Sequence, residues 1–381
     1  MDLQNYLDNA ATTPVFPEVL EASLPYLRDQ FGNPSSIHSL GMDVRRAVKL
    51  ARERLARVLG LPPQAVIFTA GGTEADNLAL LGTFESARLK GDRLLVSAIE
   101  HPAVLNAAEA LQKRGVRVDH IPVTRQGVAD LAALERLLGP DVRMVSVMAM
   151  NNELGTAQPL VEIGKLIECV SPKTVFHVDA VQAFTKQALP WREARIDLIS
   201  VSAHKVHGPK GTGALFHCTP VPLEPVTFGG GQEDGFRSGT ENPFGMIALS
   251  FAAEQSAALH RRQAEERRAY HQRWLSVMQR HPRLRVFRSE RETPFVIQFS
   301  VPPIPAEVVL NHLQEQGVFV STGSACHTHN PEPSHVLLAA GIPAEEAVCS
   351  VRMSFSVHNT LAGQDPVIAG FERAIARVEK L

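Results

Sequence analysis

The stretch Ser200-Val201-Ser202-Ala203-His204-Lys205-Val206-His207-Gly208-Pro209-Lys210-Gly211 decides how this 381-residue chain is read. Leu198, Ile199 and Val201 alternate with small polar residues as in a buried strand, and the Gly-Pro-Lys-Gly that follows is turn chemistry. Lys205 therefore falls at a strand's carboxyl end, the edge where open parallel sheets collect ligands.

Upstream, the β-branched and aromatic run Val175-Phe176-His177-Val178 leads into Asp179-Ala180-Val181-Gln182. This places a carboxylate and an amide at a neighbouring strand end. A lysine that forms a Schiff base and an acid that keeps a pyridine nitrogen protonated are the two requirements of pyridoxal 5'-phosphate chemistry. Lys205 and Asp179 suit those roles.

Outward from this pair, strands read at 66–69, 94–97, 116–123, 144–148 and 211–216, with helical spacing at 44–59, 77–81, 104–111 and 131–138. Such alternation implies an α/β fold with a largely parallel sheet and right-handed crossovers. Polar groups gather at the strand ends. Gly72 and Thr73 stand where a strand turns into a helix, a place for phosphate. His101 can lie flat on a pyridine ring and exchange protons with an intermediate, and Asn152 can bond a phenolic oxygen. In the glycine-rich loop 229–242, Arg237, Ser238 and Thr240 offer donors to an anion. Asp8, Asn9 and Asn33 read as turn residues from their local setting.

The proline-free segment 244–281 suggests one or two long helices leading to a second domain. Strands at 295–299, 318–320 and 350–355 with a helix at 307–316 make that domain a smaller α+β unit. The expected division is 16–255 for the large domain and 1–15 with 256–381 for the small one.

Composition narrows the function. A formal net charge of -2 and an isoelectric point near 6.7 give no basic face, so no direct nucleic-acid ligand is expected. With no leader-like start and no run of 18 apolar residues, neither export nor a membrane is expected, which points to the cytoplasm. The 4 cysteines are scattered without the spacing of a disulfide framework or a structural zinc site.

The ordered motifs Ala70-Gly71-Gly72-Thr73-Glu74, Glu100-His101-Pro102, Asn151-Asn152-Glu153, Asp179-Ala180-Val181-Gln182, Ser202-Ala203-His204-Lys205 and Arg237-Ser238-Gly239-Thr240-Glu241-Asn242 resemble the cysteine desulfurases. These belong to the class V aminotransferase group of fold type I pyridoxal phosphate enzymes, and the resemblance spans about 6–355. It implies a mostly parallel seven-stranded sheet flanked by helices, plus the smaller domain. Lys205 would carry the cofactor, Asp179 pair with its ring nitrogen, Gln182 bond its phenolic oxygen and His101 stack on the ring. Thr73, Ser202 and His204 would hold the phosphate, and Thr240 would reach the phosphate of the partner subunit in a homodimer. Asn33, Asn152 and Arg352 match substrate-binding positions, Arg352 as the carboxylate fork.

Ser321-Thr322-Gly323-Ser324-Ala325-Cys326 looks like the S-x-G-S-A-C loop of one desulfurase branch. Cys326 would then take sulfur from L-cysteine, leaving L-alanine, and pass it from a persulfide to a sulfur-acceptor protein of iron-sulfur cluster assembly or a thiolation pathway. His327 and His329 depart from the small polar residues of that pattern. With Cys326 and His335 they are not read as a metal site, because alternating histidines on a loop lack fixed geometry. The alternative reading is a class V aminotransferase or a selenocysteine or C–S lyase that uses the same site without the cysteine. A scaffold retaining the fold would hold no cofactor.

Overall fold

The computed structural model describes residues 2–322 and 332–380. Its larger sheet holds β1 (Val66–Thr69), β2 (Arg93–Ser97), β3 (Arg117–Ile121), β4 (Val142–Ser146), β5 (Val175–Asp179), β6 (Leu198–Ser202) and β7 (Gly213–His217), in the order β1-β7-β6-β5-β4-β2-β3. The ladders from β3 through β6 are parallel, and β7 alone runs against its two neighbours. Strands covered on both faces need continuous apolar runs rather than alternation, and β1, β5 and β6 are buried at every position.

Because β7 is antiparallel, its first residue lies at the same edge as the ends of β1 and β6. That residue is Gly213. A Cβ there would fall 2.6 Å from both the Gly71 carbonyl carbon and the Val201 oxygen, so only glycine lets these strand ends close together.

Helices cover both faces. The helix Gly72–Glu85 is sandwiched, burying Ala75, Leu78, Ala79, Leu80 and also Asp76, whereas Ser39–Val58 buries one stripe. Residues 244–281 form two helices, Pro243–Arg262 and Ala264–Met278. The first packs into the large core through Met246, Leu249 and Ala252. The second packs Tyr270 and Trp274 into a separate core. That second core lies on β8 (Arg285–Val286), β9 (Val296–Ser300), β10 (Ser321–Thr322) and β11 (Ser350–Ser354), an antiparallel sheet in the order β10-β11-β9-β8. Leu7 from the amino terminus joins it.

Three elements differ from the pattern-based expectation. The apolar run 318–320 is not a strand of the small sheet. Its Phe319 is taken by the amino-terminal segment, accepting from Leu7 N at 2.8 Å and donating to Asn5 O at 3.0 Å. The helices Leu160–Val170 and Gln364–Val378 were not expected, although each buries an apolar stripe at helical spacing, Ile163 and Ile167 in one and Val367, Phe371, Ala374 and Val378 in the other.

Gly164 also marks a close approach. A Cβ at this position would stand 1.9 Å from the Ala194 oxygen. Gly164→Ala is therefore expected to destabilise the fold by about 1–3 kcal/mol, measured by denaturant unfolding, with little change if the helix can slide away.

Candidate active site

The carboxyl ends of β1, β2, β4, β5 and β6 open into one cavity of about 340 Å³. β5 ends in Asp179, and β6 leads into a single 3-10 turn, Ala203–Lys205, that aims Lys205 at the same space. Gly72, Thr73, His101, Asn152, Asp179, Gln182, Ser202, His204, Lys205 and Arg352 all line it. Asn33 and Thr240 are exposed and stand outside the lining. Cys326 lies outside the described residues, as do His327 and His329.

One end of the cavity suits an anion. The amino end of the helix Gly72–Glu85 has no side-chain cap, so its dipole faces the space beside Thr73, Ser202 and His204. Burial, and then the Lys205 charge, push His204 down to about 4, so its ring is neutral and bonds Thr12 Oγ1 at 3.2 Å. Arg237 is engaged elsewhere, with Nε 2.9 Å from Glu74 Oε1.

The opposite wall is acidic and dry. Asp179 accepts from Val181 N at 2.8 Å, and burial raises it to about 6 despite Lys205. Two further carboxyls crowd it. Asp76 and Glu100 are both almost fully buried, and burial followed by the charge of Asp179 drives both well above the usual carboxylate range. His177 stands behind them, bonded to Ser146 Oγ at 2.8 Å and Ser200 Oγ at 2.9 Å, with Nε2 3.6 Å from Asp76 Oδ1. Sequence reasoning passed over Asp76, because Glu74 and Asn77 beside it make that turn of the helix read as a solvated one.

The roof is the amino-terminal segment. Lys205 Nζ donates to Ala10 O at 2.6 Å and Ala11 O at 2.7 Å, and Gln182 Nε2 donates to Ala10 O at 2.9 Å. Arg352, 3% exposed on β11, donates from Nη2 to Asp8 Oδ1 at 2.9 Å and from Nη1 to Asn152 O at 3.1 Å. Asp8 was legible only as a turn former, because its partner lies 344 residues away.

His101 caps the helix Pro102–Lys113, its Nδ1 accepting from Ala103 N at 3.1 Å. With that lone pair engaged, the proton of the neutral ring sits on Nε2. Burial, then the Lys205 charge, push its pKa down to about 4. Nearby, His335 bonds Glu100 O at 3.0 Å and Ser334 donates to Glu153 Oε2 at 2.6 Å, which anchors the chain just after the undescribed segment.

The Aminotransferase class-V family model matches residues 5–365. A relative from Dictyoglomus turgidum named Cysteine desulfurase IscS is 38% identical over 100% of this chain and 97% of its own length. Putative cysteine desulfurase IscS 1 of Bacillus subtilis is 39% identical over 93% of this chain and 94% of its own. Among solved structures, a NifS-like protein superposes with a TM-score of 0.91 at 33% identity, covering 97% of this chain and 99% of that one. A structure titled SspA in complex with cysteine gives 0.81 at 32% identity, covering 92% and 99%.

Two measurements test these electrostatics. The His101 imidazole is expected to titrate near 4, leaving its NMR resonances unmoved between about pH 5.5 and 8, whereas an ordinary histidine moves there. For Asp179, the folded protein holds its proton up to about 6 while the unfolded chain releases it near 3.8. The resulting penalty is absent at low pH, grows between those values and is complete above them. Asp179→Asn is thus expected to stabilise the cofactor-free protein above about pH 6 by up to ~3 kcal/mol, and to leave it unchanged below about pH 4, in thermal melts.

Proposed function

The chain belongs to the aminotransferase class-V family and, within it, to the cysteine desulfurases, and from that premise we propose that Lys205 carries pyridoxal 5'-phosphate and Cys326 receives sulfur from L-cysteine. Both families depend on that cofactor. The observation that carries the reading is the meeting of Lys205, Asp179 and Arg352 on the lining of one cavity.

The residues fit the cofactor. The uncapped helix end with Thr73, Ser202 and His204 suits a phosphate. Asp179, costly to ionise alone in its buried site, is relieved by a cationic ring nitrogen. Gln182 and Asn152, both on the lining, would bond a phenolic oxygen, and the His101 ring on the same lining would stack. When bound, the cofactor supplies an electron sink for negative charge at the substrate's Cα.

The chain's own residues do the rest. Arg352, with Asn152 beside it, binds the substrate carboxylate, and Lys205 Nζ takes and returns the proton at Cα. His101 presents Nε2–H as a donor. The Cys326 thiolate attacks the sulfur of L-cysteine, the C–S bond breaks, and L-alanine and a Cys326 persulfide result. The persulfide passes to a sulfur-acceptor protein of iron-sulfur cluster assembly or of a thiolation pathway.

A homodimer completes this reading. Thr240 and Asn33 are exposed, and the large apolar side chains of Phe31, Ile37 and Phe228 are 69%, 90% and 84% exposed, which supports a second copy that covers them and brings Thr240 to the neighbouring site. The second core, drawn from Leu7 and residues 270–378, supports a small unit of 1–15 with 256–381 beside a large unit of 16–255, although Phe295, Val296 and Val357 pack into the large core. Among the described residues no helix is long and apolar enough to cross a membrane, which is compatible with the cytoplasmic location proposed.

The test is alanine and sulfide release from L-cysteine with a reductant present. Equal amounts of both are expected, and either Cys326→Ala or Lys205→Ala is expected to reduce them at least ~100-fold. Full turnover by Cys326→Ala would instead assign the site to an aminotransferase or lyase.

A further inference from the structure

Behind the cavity wall, Lys186 Nζ lies 3.3 Å from Gln182 Oε1. On its other side the same amide donates from Nε2 to Ala10 O at 2.9 Å. An ammonium at the oxygen and a carbonyl at the nitrogen leave the amide one orientation, so Gln182 offers a second N–H rather than a C=O. Ala10 O is also the acceptor of Lys205, which puts Lys186, Gln182 and Lys205 on one continuous hydrogen-bonded path.

The backbone is constrained to bring Lys186 there. Thr185, the residue before it, sits at φ 67°, a left-handed conformation that a β-branched residue adopts at a cost, and its Oγ1 lies 3.1 Å from Ser256 Oγ on the helix Pro243–Arg262. The Lys186 ammonium stands 5.9 Å from the centre of the Phe295 ring. The other groups within electrostatic reach are cations or buried histidines: Lys205, Arg352, His204, His207 and His260. Burial, then Lys205 and Arg352, bring Lys186 down to about 7.

We propose that Lys186 is a positioning residue for the cofactor site, holding the Gln182 amide with its N–H toward the cofactor's phenolic oxygen and adding positive charge behind Lys205. The proposal rests on the reading of Lys205 as the cofactor lysine. Losing Lys186 removes a cation near the lysine–cofactor linkage and loosens the donor to the phenolic oxygen. Both changes make the linkage easier to protonate.

The holoenzyme tests this through the pH dependence of its visible absorbance and the rate at which dialysis removes the cofactor. In Lys186→Met the absorbance midpoint is expected to rise by about half a pH unit or more, and cofactor loss to quicken about threefold or more. Lys186→Arg, which keeps donor and charge, is expected to restore both. Lys186→Gln, a donor without charge, is expected to restore retention but only part of the midpoint shift. Wild-type midpoint and retention in Lys186→Met would overturn the proposal. So would a lower melting temperature of the cofactor-free variant with an unchanged holoenzyme spectrum, which is the mark of a merely structural residue. A wild-type protein without a visible band would overturn the Lys205 reading itself, and the proposal with it.

Discussion

A carboxylate buried at the end of a central strand must be matched by a cation or keep a proton, and at Asp179 that requirement organises the site. Asp76 and Glu100 press on it from the helix and strand end beside it, so the acid wall cannot carry full charge unaided. Lys205 and Arg352 stand toward the roof, with Lys186 behind. The cavity therefore has an acidic side and a basic side within one small volume. A ligand with a cationic ring nitrogen at one end and anionic groups at the other relieves both.

The basic side is held by the amino-terminal segment, which belongs to neither sheet. Leu7 is buried in the small core, Asp8 holds Arg352, Ala10 and Ala11 hold Lys205, and Thr13 bonds the backbone of His204 and His207. Residues 7–13 thus tie the small sheet to Lys205. Any shift of one core against the other is felt at Lys205 and at the guanidinium together, which gives a physical route from small-unit packing to cavity geometry.

Much of the site was legible because its residues sit where local pattern turns from apolar to polar. Thr73, His101, Asp179, Gln182 and Lys205 each follow a buried strand within a few residues, and parallel strands deliver their ends to one edge. Asp8, Asp76 and Lys186 were not legible. Asp8 matters through Arg352, 344 residues away, Asp76 through the buried face of its helix, and Lys186 through a strained turn. In the fold Arg237 is also tied by Nε to Glu74.

The sequence by itself determined the alternation that makes the sheet, the motifs at its carboxyl edge and the residue types the chemistry needs, because hydrophobic periodicity and turn residues act over a few positions. Only the tertiary structure decided the protonation states and orientations: a neutral His101 with its proton on Nε2, an Asp179 raised by burial, a Gln182 amide turned to donate. These depend on desolvation and on partners far apart in the chain, which meet only once both cores have packed.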